Sequence, residues 1–358
     1  MSLTVLNVAF PFSPVGPGAV GGAEQILWVM DEGLTAAGHV SLVAASEGSE
    51  AKGRLFPAPM AQADVLDEEA KRWARKRLQA AIDHALESGP VDVVHMHGMD
   101  FHEYTLPEDV PVVVTLHMPV GWYPTEIWER WAGRAQFVCV SETQRRTCPD
   151  VPGEVRVVEN GVALPAFDAE RRRGEYALVL GRICPEKNAH EALKAGTRAG
   201  TRVLLGGQVF PYAEHRRYFE ERVKPALEEE SAAVRHEFLG PLEPGRREAL
   251  LAEARCLLHP TLAPETSSLV AMEAMAVGTP VIAYRSGALP EVVQDGVTGF
   301  LVGGVEEMAA AMGRVDTISR EACRRVAEER FSRERMVRDY LQMYEGMARR
   351  PARERRYA

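Results

Sequence analysis

Residues 264–283, PETSSLVAMEAMAVGTPVIA, predict a helix that runs directly into a buried strand. Ser267 or Ser268 is a good N-cap for SLVAMEAMAV, and Gly278 suits the position that follows a helix end. Thr279 and Pro280 then lead into the apolar run VIAY. A helix joined this closely to an apolar strand is typical of an α/β unit in which helices cover a parallel sheet.

Two glutamates stand in this stretch, Glu265 before the helix and Glu273 within it, with seven residues between them. The helix is apolar on every face, so we expect it to be buried all round, and Glu273 with it. A buried carboxylate is costly unless it is hydrogen-bonded or paired with a cation. Glu273 therefore has either a structural partner, such as a backbone amide or an arginine, or a ligand to bind.

Short β-branched strands alternate with longer helical patterns along the chain, and the alternation starts afresh after the polar stretch FDAERRRGE, residues 167–175. This pattern predicts two Rossmann-like, doubly wound α/β domains with parallel sheets, facing each other across a cleft, because ligands bind at the carboxyl ends of parallel strands. The predicted strands are LTVLNVAF, HVSLVAA, VDVVHMH, VPVVVTLH and AQFVCVS in the first set, and YALVLGR, RVLLGG, EFLGP, CLLHP and TPVIAY in the second.

The predicted domains span residues 1–165 and 174–330, and residues 331–358 hold a last helix and a basic tail. The helix is predicted by SRERMVRDYLQMYEGMAR, whose apolar residues recur at helical spacing after Ser332, a suitable N-cap. The periodicity alone does not show which domain this helix joins.

Length and charge bound the classes of function. A chain of 358 residues holds about two domains, and its net charge of -9 argues against nucleic acid as a partner. No basic segment precedes the first apolar run, and no stretch approaches the ~20 apolar residues of a membrane span, so we expect a cytoplasmic protein. The five cysteines follow no metal or redox spacing, and we expect reduced thiols.

The loops at the strand ends carry candidate ligands for a phosphorylated molecule. GRICPEK, residues 181–187, follows the strand YALVL and places Arg182 and Lys187 on a strand-to-helix loop, where the two cations would clamp a diphosphate without a metal ion. The helix that begins near Ser268 offers free N–H groups to a phosphate. Glu273, about one turn in, would accept hydrogen bonds from vicinal hydroxyls such as those of a ribose, and Glu265 would face a second polyol.

The GRICPEK loop, the two glutamates, EAMAVGTPVIA and GALPEVVQDGVTGFLV together resemble the retaining family 4 glycosyltransferases of the GT-B architecture. VGGAEQ, VDVVHMHG, TLHMP, VSET and ENGVAL extend the resemblance through the first half, in the family's order. Each motif is weak alone, but the ordered set is specific. It implies an N-terminal acceptor-side domain, a C-terminal nucleotide-sugar-binding domain, and a last helix that crosses back onto the first domain.

The resemblance also implies roles for individual residues. Arg182 and Lys187 would hold the nucleotide diphosphate and stabilise it as it leaves, Glu273 would bind the ribose, and Glu265 would contact the donor sugar. His117, at the end of VVVTLH, would lie beside the transferred sugar and take part in catalysis. Backbone amides would complete the donor site, those of Ser268, Leu269 and Val270 at the sugar and phosphate, and that of Gly22, in the GGAE loop, at the phosphates.

The implied activity is a hexosyltransferase that moves a sugar from a nucleotide-diphosphate sugar to an acceptor hydroxyl with retention, with UDP preferred over GDP. The sequence contains no Asp-x-Asp metal motif and no acid placed as an obvious nucleophile, so we expect neither a metal nor another cofactor. Where the family often has Phe-Gly, this chain has Ser267 and Ser268, which leaves the donor sugar open. The acceptor is a carbohydrate, a lipid-linked molecule or a small molecule.

Candidate acceptor residues lie at the ends of the first-half strands. His95 and His97 share one face of a strand end near Asp100 and His102, and we favour hydrogen-bond donors over metal ligands there because no third ligand has a convincing spacing. Trp122 and Tyr123 would form an aromatic wall for the acceptor. Nearby Trp128 and Trp131 are predicted to pack a helix into the core instead.

Two basic stretches stand out on an acidic protein. KRWARKR, residues 71–77, and the arginines of the C-terminal tail would suit an anionic membrane surface and so a peripheral contact at the inner membrane. Solvated helix faces and a frayed tail explain the same charges, and we favour that interpretation.

Four other classes of function stay open at this stage. GPGAVG, residues 16–21, matches a dinucleotide fingerprint, but the prolines around it and the distance to Glu47 fit a dehydrogenase poorly. A nucleotide-sugar epimerase of the same architecture would share the phosphate contacts. A glycosidase would use Glu265 and Glu273 as its carboxylate pair and leave Arg182 and Lys187 unexplained. A nucleotide-sugar sensor would bind the donor without turnover.

Overall fold

The computed structural model describes residues 2–60, 67–150, 154–229 and 234–349. The chain divides into two compact units, one made of the residues up to Asn160 together with those from Arg333 onward, and one that runs from Gly161 to Ser332. Residues 161–165, which we predicted to close the first domain, belong to the second unit. There, the guanidinium of Arg324 donates to the carbonyl of Pro165 (2.8 Å).

A parallel sheet forms the centre of the first unit. Within the described residues it has seven strands in the order β3-β2-β1-β4-β5-β6-β7, and every pairing is parallel. The strands are β1 (Thr4–Val8), β2 (Val40–Ser46), β3 (Arg54–Ala58), β4 (Val93–Met96), β5 (Val112–Leu116), β6 (Ala135–Cys139) and β7 (Arg156–Val157).

Helices cover both faces of this sheet. Leu42 of β2 packs with Leu78 of one helix, whereas its neighbour Val43 points to the other face and packs with Leu27 of another, as the two-residue period of a strand requires. The predicted doubly wound arrangement is therefore confirmed for this unit. Its helices are α1 (Gly22–Ala36), α2 (Glu68–Glu87), α3 (Glu126–Trp131), α4 (Glu142–Arg145) and α13 (Arg333–Ala348).

The last helix, α13, returns to the first unit and is held there by buried polar groups. The Tyr344 hydroxyl bonds with Nδ1 of His95 (2.6 Å), and Nε2 of His95 bonds with the Thr115 hydroxyl (2.7 Å). That hydroxyl bonds in turn with Tyr340 (2.8 Å). Burial lowers the pKa of His95 well below its usual range, so the ring is neutral and has one nitrogen to donate and one to accept.

The second unit repeats the same plan. Its sheet has six parallel strands within the described residues, in the order β10-β9-β8-β11-β12-β13. They are β8 (Tyr176–Leu180), β9 (Arg202–Gly206), β10 (Glu237–Gly240), β11 (Cys256–His259), β12 (Val281–Tyr284) and β13 (Gly299–Val302).

The core of this unit joins the sheet to its helices. Leu178 and Leu257, from neighbouring strands, are fully buried in one apolar cluster with Leu193 and Met275 from two of the helices. The helices are α5 (Ala189–Ala199), α6 (Ala213–Tyr218), α7 (Lys224–Glu228), α8 (Pro244–Glu253), α9 (Leu269–Ala276), α10 (Leu289–Val292), α11 (Val305–Met312) and α12 (Arg320–Arg330).

Strand order fixes where a ligand site is expected in each unit. The order reverses between β1 and β4 in one sheet and between β8 and β11 in the other. Loops that leave two strands at such a reversal run to opposite faces and open a crevice between them. In the second unit these loops follow Leu180 and His259, and they carry Arg182, Lys187 and Glu265.

The basic stretch 71–77 lies in α2. Lys71 pairs with Glu68 (2.8 Å) and Arg75 with Asp100 (3.5 Å), so part of its charge is engaged within the first unit. The basic tail beyond Arg349 lies outside the described residues. No helix in the described ranges is both long enough and apolar enough to cross a membrane.

The docking of α13 gives a stability prediction. Tyr344→Phe leaves Nδ1 of His95 buried without a partner, which costs about 1–3 kcal/mol of unfolding free energy. All five tryptophans lie in the first unit, at positions 28, 73, 122, 128 and 131, so urea unfolding followed by tryptophan fluorescence reports on this unit. Tyr212→Phe, at a half-exposed tyrosine of the second unit, is the matched control and should leave the transition unchanged. Equal midpoints for wild type and Tyr344→Phe would contradict this assignment.

Candidate active site

Glu265 is the centre of a cluster of charged groups in the second unit. Its carboxylate accepts a hydrogen bond from Nζ of Lys187 and lies 3.5 Å from Nε2 of His259. Burial alone would raise the pKa of Glu265, but the hydrogen bond from His259 and the charge of Lys187 outweigh it and hold the pKa at about 2. Glu265 is therefore a permanent carboxylate at neutral pH, and the structure brings it together with Lys187 as the sequence predicted for a common site.

The backbone around Glu265 is held from two sides. The Ala288 amide donates to the Glu265 carbonyl (2.7 Å), and a Cβ at Gly287 would lie 2.4 Å from the Glu265 nitrogen, so only glycine fits there. On the other side, the Leu262 amide donates to the carbonyl of Glu186 (2.8 Å), the residue before Lys187. The bond to Glu186 joins the two loops of the reversal point, and the bond from Ala288 ties Glu265 to the loop after β12.

The N-terminus of α9 lies next to this cluster. Ser268 is the N-cap, as predicted, but its side chain does not cap the helix. Its hydroxyl lies instead 3.3 Å from Nε2 of His259, which is also the neighbour of Glu265. The hydroxyl of Ser267 is buried without a partner among the described residues. The first turn thus offers backbone N–H groups, and a hydroxyl beside them, to a ligand.

Glu273 is less buried than the sequence predicted. Its side chain is 24% exposed, because Leu269, Val270 and Glu273 form the partly exposed side of α9 while Ala271, Met272 and Ala274 are buried. An apolar composition on all faces therefore did not mean burial on all faces.

The partner of Glu273 is Arg247 of α8, whose guanidinium donates to the carboxylate. Burial still outweighs this cation and raises the pKa of Glu273. The structural partner that the sequence left open is thus an arginine.

Arg182 reaches the same end of the sheet without joining the cluster. Its side chain is exposed, and within the described residues no ion pair engages it. Its position is fixed through the backbone, because the Ile183 amide donates to the Gln208 carbonyl (3.0 Å) beyond the neighbouring strand. The guanidinium is therefore available to a ligand at the strand ends.

In the first unit, Gly22 is the exposed first residue of α1. The preceding Gly21 is the N-cap, and a Cβ there would lie 1.9 Å from a carboxylate oxygen of Glu24. Glu24 itself is buried, and burial raises its pKa. The GGAE sequence thus lets a buried acid fold back over the start of the helix.

His97 and His117 form a stacked pair at the ends of β4 and β5. Nδ1 of His97 lies 3.2 Å from Nε2 of His117, and the rings are 16° from parallel. Burial lowers the pKa of His97 well below its usual range and that of His117 to about 4, so both are neutral at pH 7. Nε2 of His97 is buried without a partner among the described residues.

The other polar residues near His97 have structural partners. His95 belongs to the network under α13, and Asp100 accepts from the Tyr104 hydroxyl (2.8 Å) and pairs with Arg75. His102 lies 3.7 Å from Glu103. Nδ1 of His102 and one carboxylate oxygen of Asp100 are buried without a hydrogen-bond partner among the described residues.

The aromatic wall that we predicted for the acceptor divides into two parts. Trp122 is 53% exposed. Tyr123 is buried, packs near Phe101, and accepts the Met118 amide (3.3 Å) with its hydroxyl, so it is a core residue. The prediction that Trp128 and Trp131 pack in the core is confirmed, because both are buried.

Three residues of these sites were missed at the level of sequence: His259, Arg247 and Glu24. His259 had a usable signal, since it ends the predicted strand CLLHP at the edge where ligands bind. Glu24 also had a signal, since it lies two residues after Gly22 in the VGGAEQ motif. Arg247 had none, because a basic residue on a helix is usually solvated.

Two parallel-sheet α/β units, with polar side chains gathered at the ends of their strands, define a protein of the GT-B class. Residues 165–330 match the family model of the group 1 glycosyl transferases, and residues 20–164 match that of glycosyltransferase family 4. The two models together span most of the chain, which therefore belongs to the family 4 glycosyltransferases of the GT-B architecture.

Relatives and solved structures agree with this placement. The chain is 29% identical over 276 residues to a D-inositol 3-phosphate glycosyltransferase of Acidothermus cellulolyticus, a match that covers 64% of this chain and 60% of that relative. Sucrose-phosphate synthase of Thermosynechococcus elongatus has the same fold, with a TM-score of 0.78 at 19% identity over 96% of this chain and 99% of that one. The Anabaena protein HepE in complex with UDP and glucose gives 0.73 at 16% identity, over 96% and 99%.

The depressed pKa of Glu265 predicts a pH dependence of stability. A folded pKa of about 2 against the ordinary 4.5 means that the ionised carboxylate stabilises the fold fully above about pH 4.5 and loses this effect as the pH falls toward 2. Relative to Glu265→Gln, wild type should lose about 1.4 kcal/mol of unfolding free energy between about pH 6 and pH 3.5. Urea unfolding followed by far-UV circular dichroism measures this change in unfolding free energy. Tryptophan fluorescence would not report on it, because the second unit has no tryptophan. Glu214→Gln, at an exposed acid, is the control. If the difference in unfolding free energy between wild type and Glu265→Gln did not change with pH, the assigned pKa of Glu265 would be contradicted.

Proposed function

We propose that this chain transfers a hexosyl group from a nucleotide-diphosphate sugar, with UDP as the nucleotide, to an acceptor hydroxyl with retention and without a metal ion. The observation that carries the proposal lies in the second unit. Lys187 and Glu265 meet at the reversal point of the sheet, next to the N-terminus of α9, which has no side-chain cap, and at the end of the sheet where Arg182 is exposed. Cations, N–H groups and one fixed carboxylate are what a sugar diphosphate requires of a protein.

The diphosphate is the part of the donor that these groups recognise most strongly. Lys187 and Arg182 supply two positive charges, and the first turn of α9 adds the N–H groups of Leu269 and Val270. As the bond between the sugar and the diphosphate breaks, negative charge grows on the leaving oxygen, and groups already in place stabilise it without reorganisation. In this proposal, the protein itself provides the charge that a metal ion provides in other transferases.

Glu265 has two roles in this scheme. It holds Lys187 in position, and its remaining hydrogen-bond capacity accepts hydroxyls of the donor sugar. Because its pKa is about 2, it accepts hydrogen bonds and does not donate a proton at neutral pH. In this proposal, the Ser267 hydroxyl, which has no partner among the described residues, contacts the same ligand, at a position where the family often has a bulky aromatic residue.

Glu273 and Arg247 form the proposed ribose site. Vicinal hydroxyls bind well to a partly exposed carboxylate, and Glu273 lies one turn into α9, within reach of a nucleoside whose phosphates are at the N-terminus. In the free protein, Arg247 satisfies this carboxylate. Donor binding then exchanges one hydrogen bond from Arg247 for bonds from the ribose diol.

The choice of UDP rests on a solved neighbour, and the choice of acceptor stays wider. HepE of Anabaena, which shares the fold, was solved with UDP and glucose. The Acidothermus relative is named for transfer to D-inositol 3-phosphate. This chain spans 60% of the length of that relative, and we propose for it a polyol, carbohydrate or lipid-linked acceptor. Trp122, His117 and His97 of the first unit are the proposed acceptor-side residues.

A glycosidase fits the same residues poorly. Such an enzyme needs one of its two carboxyl groups as a general acid with a raised pKa, and the other as a nucleophile or a general base that faces the sugar. Glu265 is committed to Lys187, and Glu273 is committed to Arg247, so each acid has a cation rather than a scissile bond as its partner. An epimerase would use the same donor contacts, and it is distinguished by release of epimerised nucleotide sugar without an acceptor.

Donor binding is tested by a thermal-shift panel of nucleoside diphosphates and their sugars in the presence of a chelator. UDP or a UDP-sugar at 100 times its dissociation constant should stabilise the protein by about 2.7 kcal/mol. Glu273→Ala should remove most of this shift, and Glu248→Ala, at an exposed acid of α8, should keep it. Equal shifts for wild type and Glu273→Ala would contradict the ribose assignment.

Catalysis is tested with Lys187→Met, compared with Lys194→Met at an exposed lysine of α5. Loss of a group that stabilises the leaving diphosphate should lower the rate of transfer by about 10²–10³-fold, or 2–4 kcal/mol of barrier. The rate is measured by release of the nucleoside diphosphate with a polyol acceptor, with and without EDTA. Wild-type turnover should be the same in both buffers, and normal turnover by Lys187→Met would refute the scheme.

A further inference from the structure

Three side chains of different chemistry meet beside the proposed diphosphate loop. The Cys184 sulfur, a carboxylate oxygen of Glu186 and a ring nitrogen of His215 all lie within 4.8 Å of one another. Within the described ranges, no other set of three or more histidine, cysteine or acidic side chains is gathered this closely. The first two come from the GRICPEK loop, and the third comes from the first turn of α6.

The cluster is built from buried groups with a single exposed member. Cys184 is fully buried, and His215 is 7% exposed, whereas Glu186 is exposed and opens the cluster to solvent. The rings of Phe210 and Tyr212 pack edge-on against the imidazole of His215 and fix its orientation. A ligand from solvent would enter past Glu186.

One polar atom of this cluster lacks a hydrogen-bond partner. Nδ1 of His215 is buried and has no hydrogen-bond partner among the described residues. Buried polar atoms nearly always have a partner, so an unpartnered nitrogen on a ring that lies beside a thiol and a carboxylate requires an explanation. A solvent cation held by the cluster gives one, because it needs the ring in its neutral, lone-pair form.

The set of donor atoms selects the kind of cation. Sulfur, nitrogen and oxygen ligands together suit a borderline-soft transition metal and do not suit calcium or magnesium, which prefer oxygen alone. Three protein ligands leave one position of a tetrahedron for water. The two anionic ligands, thiolate and carboxylate, balance the charge of a divalent ion.

We propose that Cys184, Glu186 and His215 form a binding site for Zn²⁺. On binding, the bond between Zn²⁺ and Cys184 sulfur forms as the S–H proton leaves to solvent, and no electron is transferred. In the free protein, burial first, and then the neighbouring Glu186, raise the pKa of the Cys184 thiol to about 11, so the metal has to displace this proton. The thiol then gives up its weak contact with the Arg182 carbonyl (3.7 Å).

The consequence would be a metal link between two elements that already pack against each other. A bound ion ties α6 to the loop that carries Arg182 and Lys187. The proposed transfer does not require it, and the site is independent of the nucleotide contacts. An experiment can therefore show donor binding without metal binding, or metal binding without donor binding, so the two proposals are tested separately.

Co²⁺ is the probe, because cobalt bound to a thiolate gives a near-ultraviolet charge-transfer band that zinc bleaches by displacement. The full chain, freed of metal by dialysis against a chelator, is titrated with Co²⁺ and then with Zn²⁺. We expect one cobalt per chain with a thiolate band, bleaching by one equivalent of Zn²⁺, and a rise in thermal midpoint with added Zn²⁺.

Three variants remove one ligand each: Cys184→Ser, His215→Ala and Glu186→Gln. Cys184→Ser should lose the band, and the other two should bind Co²⁺ more weakly. Glu186 is exposed, so its variant keeps the test valid if the buried substitutions disturb folding. Cys148→Ser, at the half-buried thiol of the first unit, is the matched control and should retain the band.

Two results would overturn the proposal. One is cobalt binding with no thiolate band, which would place the ion elsewhere, for instance at the histidines of the first unit. The other is a band that survives in Cys184→Ser with unchanged affinity. Loss of the band in folded Cys184→Ser, together with a weaker affinity in Glu186→Gln, would establish the site.

Discussion

The carboxylate of Glu265 is the constraint on which the candidate site depends. A mostly buried carboxylate must be paired, and its partners here come from two different strand ends, Lys187 after β8 and His259 at the end of β11. These strands flank the point where the order of the sheet reverses, so their loops are the ones that can meet over it. The pairing then sets the spacing of the loops and leaves the N-terminus of α9 beside them. The arrangement of the candidate ligand-binding groups thus follows from the need to pair the buried carboxylate of Glu265 with a cation.

The sequence predicted the central strands better than the edges. The two-residue and helical periods located ten strands, yet β3, β7 and β13 were missed, and all three lie at an edge of a sheet. Central strands are buried on both faces and read as continuous apolar runs, whereas β3 and β7 are only partly covered, and β13 is buried but begins with a glycine and has only four residues. β3 contains Pro57 and begins with Arg54, and β7 has two residues, so neither shows a run to recognise. The N-cap of α9 at Ser268 was predicted from the local sequence, although the Ser268 side chain makes no capping hydrogen bond.

The site was predictable where it depends on loop position and unpredictable where it depends on pairing. Arg182, Lys187 and Glu265 follow strands and so could be assigned to one end of the sheet. The bonds between them could not be derived, because Lys187 and Glu265 are 78 residues apart and Arg247 and Glu273 are 26 apart. The exposure of Glu273 was wrongly predicted for a similar reason. Composition tells which faces of a helix are apolar, but only the neighbouring elements decide which of them is covered.

The return of α13 to the first unit makes that unit discontinuous in the chain, whereas the second unit is a single segment. During synthesis, residues up to Asn160 emerge first, but the partners of His95 and Thr115 are tyrosines 340 and 344, close to the end of the described chain. The second unit, although made later, has all its strands and helices before Ser332. The half of the protein that leaves the ribosome first therefore cannot form its bonds to Tyr340 and Tyr344 until every strand and helix of the other half has been synthesised.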